Sequence, residues 1–95
     1  MENIDIKYTL ITGASGGIGY EFARIFAKEH HNLILVARNI DKLKHIKLEL
    51  ESKYKIIVRV FGIDLSKKDA ANELYKKVKE EKWLFIIVYL QMYLI

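Results

Sequence analysis

Ninety-five residues, 52% of them hydrophobic and 29% charged, make one domain at most and are too apolar for a disordered chain. The formal charge of +4 comes from lysines spread along the chain among Glu and Asp, with no aromatic-interleaved basic stripe. That pattern argues against nucleic acid as a partner and leaves a weak bias toward an anionic ligand, while the lack of cysteine excludes a disulfide framework and a thiolate metal site.

Met1 to Lys7 carries both signs of charge and no apolar run, so no secretory signal is read there and a cytoplasmic location is expected. Tyr8 to Thr12 is a short β-prone run that stops at Gly13, where a glycine-rich turn begins. From Ile18 onward, Ile18, Phe22, Ile25 and Phe26 recur at the spacing of an amphipathic helix, which is predicted to reach about His30 with those residues as its apolar face. Leu33 to Ala37 is a continuous apolar run, as in a parallel strand covered on both sides, and Arg38 ends it. Asn39 is the expected N-cap of a second helix that presents Leu43, Ile46 and Leu50 on one face and extends to about Lys53. Ile56 to Ile63 reads as a third strand closed by Asp64 and Leu65, and Ser66 as the N-cap of a third helix lined by Ala70, Leu74 and Val78. Trp83 to Ile95 is almost wholly apolar and aromatic; it begins as a strand would and then shows no turn signal. The order β-α-β-α-β-α-β with short connections predicts an α/β fold, a parallel sheet with helices on both faces, spanning residues 1–95 as a single domain.

The sharpest signal is Thr12-Gly13-Ala14-Ser15-Gly16-Gly17-Ile18-Gly19, set between a predicted strand and a predicted helix. Gly13 suits the tight turn out of the strand, Gly17 a close backbone approach to a pyrophosphate, and Gly19 close packing of helix on strand. The helix N-terminus adds free N–H groups and the positive end of a dipole. The spacing T-G-x-x-x-G-x-G resembles that of the short-chain dehydrogenases/reductases, from about Tyr8 to Lys82, and differs from the T-G-x-x-G-x-x-G of the extended, epimerase-like branch. The resemblance implies a Rossmann-type doubly wound sheet, here partial, with about four strands and three helices.

Cofactor choice can be argued from charge. In dinucleotide sites an acidic residue about 20 positions past the glycines holds the ribose 2′-OH, whereas arginine accommodates a 2′-phosphate. Arg38 stands there, so NADP is expected over NAD, with Ser15 adding a hydroxyl contact. The alternative for Arg38 is a solvated loop arginine, because Gly16 leaves the turn without a second basic residue. Asp64 and Leu65 resemble the family's residues that border the adenine ring; equally, Asp64 could be a carboxylate that favours the following helix. The expected cofactor-binding set is Gly13, Ser15, Gly16, Gly17, Ile18, Gly19, Arg38, Asp64 and Leu65.

Beyond the fourth strand the family shows an N-N-A-G segment, a catalytic Ser and a Tyr-x-x-x-Lys pair. Here Leu84 to Val88 is followed by Tyr89-Leu90-Gln91-Met92-Tyr93, with neither Asn nor Gly. Tyr75 and Lys79 satisfy Tyr-x-x-x-Lys literally but belong to the third crossover helix, and are read as a surface pair. His30, His31 and His45 lack ligand spacing and are expected at the surface, with no metal site. The family reaction is NADPH-dependent carbonyl reduction or its reverse, of which this chain is expected to keep the cofactor half and no catalytic residue. Trp83 to Ile95 is shorter than the about 20 residues of a membrane span, and a strand left without a neighbour predicts self-association. An interrupted reading frame near Trp83 would explain both the tail and the missing motifs. The rival reading is a non-enzymatic binding module whose apolar tail docks a partner chain or a membrane surface.

Overall fold

A computed structural model describes residues 7–80 and 84–88. The elements are β1 (Lys7–Thr12), α1 (Gly17–Lys28), β2 (Asn32–Ala37), α2 (Ile40–Tyr54), β3 (Val58–Gly62), α3 (Ala70–Glu80) and β4 (Leu84–Val88). The strands form one sheet in the order β3-β2-β1-β4, and every pair is parallel. Tyr8 stands opposite both Asn32 and Phe85, and Leu33 opposite Val58, so β1 and β2 are flanked on both sides. This is the first half of a doubly wound sheet, as the alternation of elements predicts. Trp83 and the stretch beyond Val88 lie outside the described residues. Among the described residues no helix is long and apolar enough to cross a membrane.

Strand geometry sends alternate side chains to opposite faces, and β2 shows why its sequence is apolar throughout. Leu33, Leu35 and Ala37 pack with Ile11 against Ala23 and Ala27 of α1 and Leu43, Ile46 and Leu50 of α2. Ile34 and Val36 pack with Tyr8 and Leu10 against Ala70, Leu74 and Val78 of α3. Two cores therefore share one sheet, and Leu33 to Val36 are fully buried. The N-cap of α2 forms as expected, with the Asn39 side chain accepting from the Lys42 N–H at 3.0 Å.

Three expectations need correction. The buried face of α1 is Gly19, Ala23 and Ala27, with Phe22 and Phe26 partly buried beside it, whereas Ile18 and Ile25 are 49% and 54% exposed. Apolar periodicity marks the largest side chains, but a helix lying close on a sheet turns its smallest residues inward. Secondly, Ser66 does not cap α3, which starts four residues later at Ala70; Ser66 instead closes a turn with Asp64. Thirdly, His31 is half-buried rather than a surface residue. Its Nδ1 is 2.8 Å from the buried Thr9 Oγ1 and its ring packs 5.1 Å from Phe26, so it ties the α1–β2 connection to β1.

The outer strand β3 is held by α2. The Val58 N–H donates to Glu51 Oε2 at 2.9 Å, Lys47 Nζ donates to the Val58 carbonyl at 2.6 Å, and Lys47 and Glu51 pair at 2.9 Å. These side chains occupy backbone groups that an edge strand would otherwise offer to another chain. Burial pushes the Glu51 carboxyl up, but the bonds from Val58 and Lys47 outweigh it and hold it below its ordinary 4.5. A depressed carboxylate stabilises the fold above its ordinary value and loses that contribution as pH falls through the lower, folded one. Glu51→Ala is therefore expected to cost about 1–2 kcal/mol at neutral pH, discounted for its partial exposure. In thermal melts the cost should shrink as the pH falls below 4.5; an equal loss at acidic and neutral pH would contradict the assignment.

Candidate functional site

The turn between β1 and α1 is built by backbone conformation. Gly13 and Gly17 have φ of 64° and 59°, in the left-handed region that favours glycine, and the Ala14 N–H is anchored on the Val36 carbonyl at 3.2 Å. A Cβ on Gly19 would run into the Gly13 carbonyl, whose carbon would lie 2.7 Å away. The first turn of α1 is thus pressed against the end of β1. Gly16, the N-cap, offers no side chain to the free N–H groups, and the first turn of α1 holds no acidic residue. Those donors and the helix dipole remain available to an anion.

A cavity of about 300 Å³ opens above the C-terminal ends of β1, β2 and β3. Gly13, Ser15, Arg38, Asp64 and Leu65 line it together, although they come from three separate connections of the chain. Ala37 and Ile63 add apolar wall, and the Ile63 N–H donates to the Ala37 carbonyl at 2.9 Å, which keeps β3 registered beside β2 as it leaves the sheet. Gly16 lines an adjoining cleft instead, and Gly17, Ile18 and Gly19 form the first turn of α1.

The charged groups are not paired with each other. Arg38 makes no ion pair among the described residues. Asp64 accepts from the Ser66 hydroxyl at 2.6 Å and the Ser66 N–H at 3.0 Å, an Asx turn that replaces the helix-initiating role considered for it. The hydroxyl bond and then the N–H bond hold the Asp64 carboxyl below its ordinary value, and Arg38 adds a smaller effect in the same direction. The cavity therefore offers one free guanidinium, one pre-oriented carboxylate and apolar walls.

The adjoining cleft was not legible in the sequence. Ser15, Gly16, Lys42, His45 and Glu49 line it, and Tyr20 closes it by donating to both Glu49 carboxylate oxygens at 3.0 Å. Burial and the Glu49 bond raise the Tyr20 pKa, so the phenol stays protonated as the donor. Lys42 comes near the turn only because α2 docks beside α1. Tyr75 is 61% exposed on α3, in keeping with a surface position.

A parallel, doubly wound sheet with a glycine turn at the start of its first helix and a cavity beyond its strand ends defines a nucleotide-binding α/β domain. The chain belongs to the short chain dehydrogenase family, and the match covers residues 7–85. It is 45% identical over 74 residues to a very-long-chain 3-oxoacyl-CoA reductase of Vanderwaltozyma polyspora, covering 78% of this chain and 21% of that protein. It also resembles the bulky-bulky ketone specific alcohol dehydrogenase of Comamonas testosteroni, at 31% identity and a TM-score of 0.77, over 88% of this chain and 34% of that one. An alcohol dehydrogenase of Thermococcus sibiricus, solved with 5-hydroxy-NADP, is similar at 40% identity and a TM-score of 0.74, over 79% of this chain and 32% of that one. The chain thus spans about a fifth of the length of the curated relatives it matches.

Proposed function

We propose that this chain is the NADP-binding portion of a carbonyl reductase of its family. The observation that carries the reading is Arg38, a cation without an ion-pair partner among the described residues, lining one cavity with Ser15, Asp64 and Leu65. The fit to a dinucleotide rests on the uncapped first turn of α1 and on the close approach at Gly19, which leaves backbone donors where a pyrophosphate can reach them. In this reading Gly13, Gly16, Gly17 and Ile18 present backbone to the pyrophosphate. Asp64 and Leu65 border the adenine, and Arg38 with Ser15 receives the 2′-phosphate.

The dinucleotide supplies the hydride; the chain supplies binding, orientation and charge. No residue of this stretch is assigned to protonating a substrate. For the whole protein the reading is NADPH-dependent reduction of a carbonyl. The 3-oxoacyl thioesters named for its relatives are the first substrates to assay, on the strength of the 45% identity over 74 residues.

Titration of the purified chain with NADPH and NADH, followed by nucleotide fluorescence, tests the binding step. NADPH is expected to bind at least about tenfold more tightly, as one charge-assisted contact to the extra phosphate would give. Equal affinities would remove the NADP preference, and no binding of either nucleotide to folded protein would remove the cofactor site altogether.

A further inference from the structure

The glycine turn carries no basic side chain, yet a cation stands over it. Lys42 Nζ lies 3.6 Å from where a Cβ on Gly16 would be. Gly16 has φ −175° and ψ 176°, extended backbone open to any residue, so its conformation does not call for glycine. A Cβ there would meet the Lys42 ammonium at ordinary van der Waals distance, so the ammonium lies directly beside the turn.

Three further observations bear on that ammonium. Lys42 makes no ion pair among the described residues; Glu49, the carboxylate lining the same cleft, is engaged at both oxygens by Tyr20. Lys42 also sits in the first turn of α2, where a cation opposes the helix dipole and so gains nothing for the fold. Finally, Ser15 lines both the cavity that holds Arg38 and the cleft of about 380 Å³ that holds Lys42, so the two spaces meet at one residue.

We infer that Lys42 is a second cofactor-selecting residue, which pairs with the ribose 2′-phosphate across Ser15 from Arg38 and takes the place of a basic residue in the glycine turn. This rests on the reading of the cavity as an NADP site. A phosphomonoester dianion can accept from a guanidinium and an ammonium at once, and two cations from separate elements match its charge better than one.

The test is titration of the full chain and its Lys42→Met and Lys42→Arg variants with NADPH and NADH. Lys42 is exposed, so the fold should be retained, and far-UV circular dichroism checks this. Lys42→Met is expected to weaken NADPH binding about five- to twentyfold and leave NADH within about twofold, with Lys42→Arg close to the parent. Unchanged NADPH affinity in Lys42→Met, or equal loss for both nucleotides, would overturn the role of Lys42 while the NADP reading stands. A parent chain that does not prefer NADPH would overturn both.

Discussion

Arg38→Asp is expected to weaken NADPH binding about 100-fold and to bring NADH to equal or better affinity. The substitution removes a charge-assisted, bidentate donor, worth about 1.5–3 kcal/mol, and puts a carboxylate where a dianion would lie. The lost contact alone corresponds to roughly 10- to 150-fold in affinity, and the repulsion adds to it. The same carboxylate can accept from a ribose 2′-OH, the arrangement of sites that select NAD. Arg38 is exposed and forms no ion pair among the described residues, so its loss should not unfold the chain. Titration with both nucleotides decides the matter. A parallel loss for NADPH and NADH would mean that the variant damages the site generally and that Arg38 does not read the phosphate.

The largest effect on stability is expected at Gly19. Its position is set by close approach, because any side chain there meets the Gly13 carbonyl, a backbone group that cannot rotate aside. Gly19→Val must therefore lift α1 away from β1 or distort the turn. Overpacking of this kind costs about 1–3 kcal/mol, or more where backbone is the obstacle. For a domain of this size that corresponds to a fall in Tm of roughly 4–8 °C per kcal/mol. Nucleotide binding should fail with it, since the donors of α1 would be displaced. Gly16→Ala is the control, because a Cβ there would meet only the end of the Lys42 side chain, in ordinary van der Waals contact. If Gly19→Val melts with the parent, the pressed helix is not what holds the turn.

The element order was legible in the sequence, because it rests on local rules. The β-prone run before Gly13, the unbroken apolar stretch from Leu33 to Ala37 and the Asn39 cap each carry their physical cause within a few residues. The cavity was largely legible too: Gly13, Ser15, Arg38, Asp64 and Leu65 all line it. They do so because the connections that follow parallel strands all leave the sheet at the same end.

What failed to show in the sequence shares a different cause. The buried stripe of α1 is Gly19, Ala23 and Ala27, and not the larger Ile18 and Ile25, because closeness to the sheet, set by packing, selects small residues. Likewise His31 finds Thr9 22 residues away, and Ser66 turns back on Asp64 when a helix was expected to begin.

By itself, then, the sequence determined the order of strands and helices along the chain, the glycine turn and the cation after β2, all of which depend on neighbours along the chain. Only the tertiary structure decided that Lys42 stands over Gly16, because the place of a long side chain depends on which helix docks beside which. Sheet pairing and core burial settle that docking, and they join residues far apart in sequence.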